Sequence, residues 1–532
     1  MVVGGGITGA GVALDAAARG LRVALVEKGD FASGTSSKSS KLVHGGLRYL
    51  QQREIRLVYE ALAERQRLLR NAPHLVRVLP FLIPLLGKDG TVNRTIARAM
   101  STALWMYDAT GGARIGKLHE RISVDESRAH MPTLRADRLV AGFLYYDAQT
   151  DDARLTLTIL RTAVLDHDAV AANYAPVADL VRDPGGRVTG VRLQDGLEVR
   201  GAAVVNATGV WADELLTREE RTHAASIRPA KGIHLTVPWS KVRNDIAVVV
   251  PVPRDRRSIF VVPWGDRVYI GTTDTDYDGP LDDPQCTAAD VAYLLRAINA
   301  AIDEPIDEAD VLGTWAGLRP LVASATSERT ADLSRRHRVT RSADGLITVT
   351  GGKLTTYRKM AADTVDDVVH DIGHGARRSS TRKIALRGAA GTEELRRPDA
   401  AGRLGADAAV LEHLAGRYGG EARTLLAMVQ GDPSLGAPLV PGLPYLCAEA
   451  VYAARYEMAR TLDDVLSRRT RARLLARDAS ARVAGDVARL VAPELGWDDA
   501  EVERQARDYR AAVATERDAA GLPESAIDAL SR

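Results

Sequence analysis

Residues 1–27, MVVGGGITGAGVALDAAARGLRVALVE, decide the fold. They read as strand, glycine turn, helix, strand and acid. Val2 and Val3 end a buried strand, and Gly4, Gly6 and Gly9 give G-x-G-x-x-G. The first glycine permits the tight turn, the second lets a pyrophosphate approach the backbone, and the third lets the helix pack closely on the sheet. The helix N-terminus offers N–H groups and the positive end of its dipole to phosphates. Leu14, Ala17 and Ala18 mark the packing side of a helix ending near Gly20, and Val23, Leu25 and Val26 form the second strand. Glu27 closes that strand. A carboxylate there accepts a hydrogen bond from a ribose 2′-hydroxyl and repels a 2′-phosphate, which favours FAD or NAD over NADP. Only residues 1–3 precede the glycines, against a usual strand of about five or six residues, so this strand is expected to be cut short.

The 532 residues suffice for several domains. A composition of 45% hydrophobic and 26% charged residues fits a globular protein with a large core. A net charge of +2 is too small to argue for nucleic-acid binding, and none is expected. Cys286 and Cys447 make neither a disulfide framework nor a metal site; they suit a reducing compartment and read as buried thiols. No secretory signal is expected, because the N-terminus is used by the fold, and no stretch reaches the ~18 apolar residues of a spanning helix. The nearest, 76–86 (VRVLPFLIPLL), holds Arg77, Pro80 and Pro84. It reads as a buried strand-and-turn segment, with a membrane-surface contact as the alternative.

Residues 35–50, TSSKSSKLVHGGLRYL, set hydroxyls, two lysines and a histidine beside a second glycine turn. That suits a second phosphate contact or the flavin edge, with Arg48 and Tyr49 able to reach an anion. Residues 54–70 read as a helix whose acids and arginines form a solvated face, and 91–107 as another. Asp151 and Asp152 invite a catalytic reading but stand where an N-cap and first helical turn take negative charge. Residues 204–212, VVNATGVWA, run from a strand through a small-residue turn into a helix. A second backbone approach so far along the chain suits an extended FAD molecule and moves the reading from NAD to FAD. Further stretches are RPAKGIHLTV with His234, IGTTD, GTWAGLRPL with Arg319, SRRHRVTR with Arg335, and ITVTGGKLTTY with Lys353. Beyond about 385 helical spacing dominates, and 452–475 and 480–492 read as helices. Basic residues in 468–477 read as a solvated face, with anionic lipid as the alternative.

Four stretches (4–27, 35–50, 206–211 and 351–357) thus converge on one cofactor and one anion. Arg48, Arg319 and Arg335 are candidates for a phosphate or carboxylate clamp. TSSKSSKLVHGGLRYL, KGIHLTV, IGTTD, GLRPL, GGKLTTY and YEMARTLDDVLSRRTRARLL closely resemble the FAD-dependent glycerol-3-phosphate dehydrogenases of the respiratory type.

The resemblance implies an α/β fold: an FAD-binding Rossmann-type domain (1–70, 150–215 and 340–372), an α+β substrate domain on a mixed sheet (71–149 and 216–339), and an all-α C-terminal domain (385–532). It implies non-covalent FAD held by Gly4, Gly6, Ile7, Thr8, Gly9, Glu27, Lys28, Thr35, Ser36, Ser37, Ser40, Lys41, Leu42, His44, Gly45, Gly46, Ala207, Thr208, Gly209, Trp211, Gly352, Lys353, Leu354 and Thr355. Substrate positions would be Arg48, Tyr49, His234, Arg319, Arg335 and Lys353. Family members oxidise sn-glycerol 3-phosphate to dihydroxyacetone phosphate and pass electrons to membrane quinone, attached to the inner face of the membrane from the cytoplasm; a homodimer stays open. Hydride would leave C2 for flavin N5, with His234 as the base because imidazole titrates near neutrality. Arg319 and Lys353 would favour the developing alkoxide, and Arg48 and Arg335 would hold the phosphate. The rival readings are an oxidase using O2, a flavin amine or 2-hydroxy-acid oxidase, and a flavin-binding protein without turnover.

Overall fold

In the computed structural model, described for residues 1–47, 49, 54–87, 94–217, 227–253, 255, 257–322, 337–373, 375 and 377–525, the opening segment forms the centre of a six-stranded sheet. The strand order is Arg338–Arg341, Ile347–Thr350, Val205–Asn206, Val2–Val3, Ala24–Val26 and Val170–Ala172. All neighbours are parallel except the first pair. A parallel sheet has to be covered on both faces. Helix Ile7–Ala18 packs on one face with helices Asp152–His167 and Tyr357–Asp371, around Val12, Leu14, Ile159 and Val365. Gly11 lets the helices close up: a Cβ there would lie 2.8 Å from the Tyr357 ring. On the other face lies the antiparallel sheet Val177–Arg182, Val188–Leu193 and Glu198–Arg200, whose Leu180, Val188 and Val191 meet Val3 and Val26.

The second sheet has ten strands. Its axis is Ile227–Pro238, paired antiparallel with Gly313–Val322 on one side and Arg267–Gly271 on the other. Side chains alternate along a strand. Ile233, Leu235 and Val237 therefore enter an apolar core, and His234 is carried on the opposite face. Residues 76–86 form one strand, Arg77–Leu86, paired along Leu139–Gln149. With Leu79, Phe81, Leu82 and Leu85 buried, this segment belongs to the core, as the buried-strand reading expects.

Two charge patterns are misleading in the sequence. Helix Ile55–Asn71 does not carry its charges only on a solvated face. Glu64 and Arg65 are buried, Arg65 on Asp147 at 2.6 Å and Glu64 on Arg358 at 2.7 and 2.6 Å. The basic run 468–477 faces neither lipid nor water. Arg469, Arg471 and Arg477 are buried, and Arg468 and Arg469 grip Asp30 while Arg471 grips Asp151 and Asp152. The same contacts break the single helix expected over 452–475. Helix Cys447–Tyr456 ends at buried Glu457, which pairs with Arg154. A π-helical turn, Asp464–Arg469, then aims the arginines at the nucleotide-binding sheet before the short helix Ala472–Leu475. Residues 480–492 are likewise divided, between Arg477–Arg482 and Ala484–Leu495. Among the described residues no helix is long and apolar enough to cross a membrane.

Candidate functional site

A cleft of about 320 Å³ opens at the C-terminal ends of the parallel strands, where doubly wound sheets bind ligands. Gly4, Gly6, Ile7 and Thr8 form its floor. Glu27, Lys28, Thr35 and Ser36 form one wall, Ala207, Thr208, Gly209 and Trp211 a second, and Gly352, Lys353 and Leu354 a third. Gly4 stands at φ +108°, and a Cβ on it would lie 2.6 Å from the Ala207 carbonyl oxygen. Gly9 is absent from the lining and serves packing: its Cβ would fall 1.9 Å from the Gly4 oxygen. The N–H of Ile7 donates to Ser36 Oγ at 2.9 Å, tying the glycine turn to the 35–37 segment.

Glu27 accepts from Gly5 N at 2.6 Å and Gly29 N at 2.9 Å. Burial pushes its carboxyl above the ordinary range, against the pull of these two N–H groups. Lys28 Nζ lies 4.2 Å over the Trp211 ring and pairs with Asp282. The Trp211 Nε1–H is buried without a partner among the described residues. A glycine-rich floor, a carboxylate at the second strand and an unused indole donor together fit a dinucleotide cofactor.

Ser37, Ser40, Lys41, Leu42, His44, Gly45, Gly46 and Thr355 do not line the cleft. They form a layer behind it in which Ser40 and His44 are half-buried and the rest are buried. Ser37 Oγ donates to Gly34 O. Lys41 Nζ donates to Asp152 at 3.1 Å and to the Ser37 carbonyl at 3.0 Å. Burial lowers the Lys41 pKa to about 8, partly opposed by Asp152. Leu42 pairs with Gln149. The His44 N–H donates to Thr355 Oγ1 at 3.2 Å. Gly45 N donates to Asp147 at 3.1 Å, beside the hydroxyl of Tyr107. Gly46 takes φ +79° against the Tyr49 ring.

Of the expected substrate residues, Tyr49 and Lys353 come together, with Nζ 3.7 Å from the ring centroid; Lys353 lines the cleft and Tyr49 does not. Arg48 and Arg335 lie outside the described residues. Arg319 and His234 sit behind the lining on one face of the second sheet. Arg319 donates to Asp274 at 3.2 Å, Thr272 Oγ1 at 3.1 Å and Thr273 O at 3.1 Å. It lies across Gly232, whose Cβ would be 2.5 Å from its guanidinium. His234 is 2% exposed. Its Nε2 is 2.9 Å from Ser40 Oγ, and its ring stacks on Trp315 at 4.7 Å and 9°. Burial first, then the positive charges of Lys41 and Arg319, hold its pKa well below that of free imidazole.

The lining also contains Ser33, Ala175, Pro176, Val177, Gln194, Glu214, Pro320 and Met360, which sequence reasoning missed. Ala175 and Pro176 follow the edge strand Val170–Ala172, so a cleft at strand ends points to that loop. Gln194 and Glu214 belong to no motif.

This geometry defines a flavoprotein with the fold of the FAD-dependent oxidoreductases. The family model "FAD dependent oxidoreductase" matches residues 1–358, and "C-terminal domain of alpha-glycerophosphate oxidase" matches 379–502. Glycerol-3-phosphate dehydrogenase 2 of Mycobacterium tuberculosis is 43% identical over 526 residues, covering 97% of this chain and 88% of its own length. The human mitochondrial glycerol-3-phosphate dehydrogenase is 36% identical over 533 residues, covering 96% and 72%. The crystal structure of glycerol-3-phosphate dehydrogenase from Bacillus halodurans, complexed with FAD, aligns at a TM-score of 0.78 with 32% identity, covering 100% of this chain and 95% of that one. The chain belongs to the FAD-dependent glycerol-3-phosphate dehydrogenase family. Its cofactor is FAD.

Proposed function

We propose that the chain oxidises sn-glycerol 3-phosphate to dihydroxyacetone phosphate and delivers the electrons to a membrane quinone. The observation that carries this reading is Lys353 on the wall of the FAD cleft, its Nζ over the Tyr49 ring, in a chain whose relatives are named for this substrate. FAD, when bound, supplies the two-electron acceptor, and the C2 hydrogen leaves as hydride toward flavin N5. The chain's residues handle the remaining proton and charge. His234, kept neutral by burial, takes the proton of the C2 hydroxyl. Lys353 and Arg319 stabilise the oxyanion character that develops on that oxygen. Arg48 and Arg335 hold the phosphate and orient C2, with Tyr49 beside Lys353.

Attachment to the inner membrane face from the cytoplasm is part of the same proposal. It is supported by the large apolar side chains that helices Ile55–Asn71 and Arg94–Ala109 expose: Ile55, Tyr59, Trp105 and Met106, with Leu118 nearby in sequence. The second reading, an oxidase delivering the electrons to O2, is favoured by the match of 379–502 to the glycerophosphate oxidase C-terminal domain. Turnover with sn-glycerol 3-phosphate tests both, with a quinone analogue or O2 as sole acceptor. Fast quinone reduction with little peroxide supports the dehydrogenase. Stoichiometric peroxide in air, with no gain from the quinone, supports the oxidase.

A further inference from the structure

The turn 39–41 is anchored from outside the cofactor cleft. Asp152, fully buried, accepts from Ser39 N at 2.9 Å, Ser39 Oγ at 2.7 Å and Lys41 Nζ at 3.1 Å. Arg471, from the helical C-terminal part, closes the far side. It donates to Asp152, to Asp151 at 3.0 and 2.8 Å, and to the Ser37 carbonyl at 3.4 Å. Lys41 stands at φ +55°, a left-handed conformation unfavourable for a lysine, so the shape of the turn depends on these anchors.

On its other side the turn meets His234 twice. Ser40 Oγ is 2.9 Å from Nε2. The Ser39 carbonyl accepts the Trp315 Nε1–H at 3.2 Å, and that indole is the one stacked on the imidazole. Tyr269 donates to the Ser40 carbonyl at 2.8 Å and fixes the backbone between these contacts. His234 Nδ1 is buried and has no partner among the described residues. If Nε2–H donates to Ser40 Oγ, the lone pair falls on Nδ1. The hydrogen bond of one ring nitrogen decides the role of the other.

We infer that Ser40 is a positioning residue that fixes the ring and tautomer of His234 with Nδ1 as the proton-accepting atom, and that Arg471, through Asp152, carries the helical C-terminal part into the active centre. The inference rests on His234 as the proton acceptor.

The test is anaerobic single-turnover flavin reduction of the holoenzyme by sn-glycerol 3-phosphate, with hydrogen-exchange mass spectrometry of the peptide 37–44. S40A is expected to slow reduction about tenfold, the cost of one lost hydrogen bond in the transition state, at unchanged substrate affinity. S40T restores most of the rate. The double variant S40A/H234Q is no slower than H234Q, because Ser40 acts only through the imidazole. R471Q slows reduction and speeds exchange in 37–44. If R471Q does not fold, R471K, which keeps the charge but loses the fork, is read in the same way. A wild-type rate in S40A, or multiplicative losses in the double variant, overturns the role of Ser40. Unchanged exchange and rate in the Arg471 variant overturn that of Arg471. A near-normal rate in H234Q overturns the base assignment itself, a separate outcome.

Discussion

Asp30→Asn should destabilise the protein severely without touching the cofactor cleft. Asp30 is buried and accepts from Arg468 Nε at 2.6 Å and from Arg469 at 2.6 and 2.8 Å, with Asn173 at 3.2 Å. Burial by itself would raise its carboxyl, but Arg469 and Arg468 outweigh burial and hold it below the usual range. The amide keeps the shape and removes the charge. Arg468 retains Asp463 and Asp464, so the loss falls mainly on Arg469, which is left with the Glu457 carbonyl. Breaking one partner of a buried ion pair costs about 3–5 kcal/mol, and the surviving contacts point to the lower end. The assay is urea unfolding of the holoenzyme followed by both tryptophan and flavin emission, since a chain of several parts need not unfold in one step. The flavin transition is expected to move to clearly lower urea at pH 7. A depressed carboxyl stabilises above its unfolded pKa, about 3.9, and that contribution is lost as pH falls through the folded value. The gap between wild type and variant therefore narrows below about pH 4. An unchanged midpoint at pH 7, or a gap independent of pH, would refute the reasoning.

Four further outcomes follow from the geometry. Gly9→Ala places a methyl 1.9 Å from the Gly4 oxygen and should abolish flavin retention, read as the flavin-to-protein ratio after gel filtration. Glu27→Ala frees the N–H groups of Gly5 and Gly29 and should weaken FAD binding about tenfold or more, measured by titrating apoprotein with FAD. His234→Gln should slow flavin reduction about a hundredfold or more at unchanged flavin content. In the wild type the depressed pKa keeps His234 neutral below pH 6.5, so the reduction rate should hold as pH falls from 8 to 6.5 and drop only in more acid solution.

The nucleotide-binding half is legible because its signals are local. Gly4, Gly6, Gly9 and Glu27 lie within one strand–helix–strand unit, and the backbone demands of that unit are written into residue type. Val205–Asn206 joins the same sheet, beside Val2–Val3, as the small-residue turn after it implies. The supporting layer is not legible, because its partners are long-range. The contacts of Lys41 with Asp152 and of Ser40 with His234 join segments more than a hundred residues apart. Glu64 and Arg65 look solvated until Arg358 and Asp147 arrive from distant segments. Arg468, Arg469 and Arg471 look like a basic surface because Asp30 and Asp151, which they grip, lie more than three hundred residues away. Helical spacing also overstates 452–475, where buried ion pairs rather than an apolar stripe set the path of the chain.

The most direct test of the account is anaerobic. The purified protein carries its flavin, its visible spectrum is recorded, and sn-glycerol 3-phosphate is added, with glycerol and lactate as controls. Rapid bleaching of the oxidised flavin bands is expected with sn-glycerol 3-phosphate and with neither control. A flavin that stays oxidised with sn-glycerol 3-phosphate would contradict it.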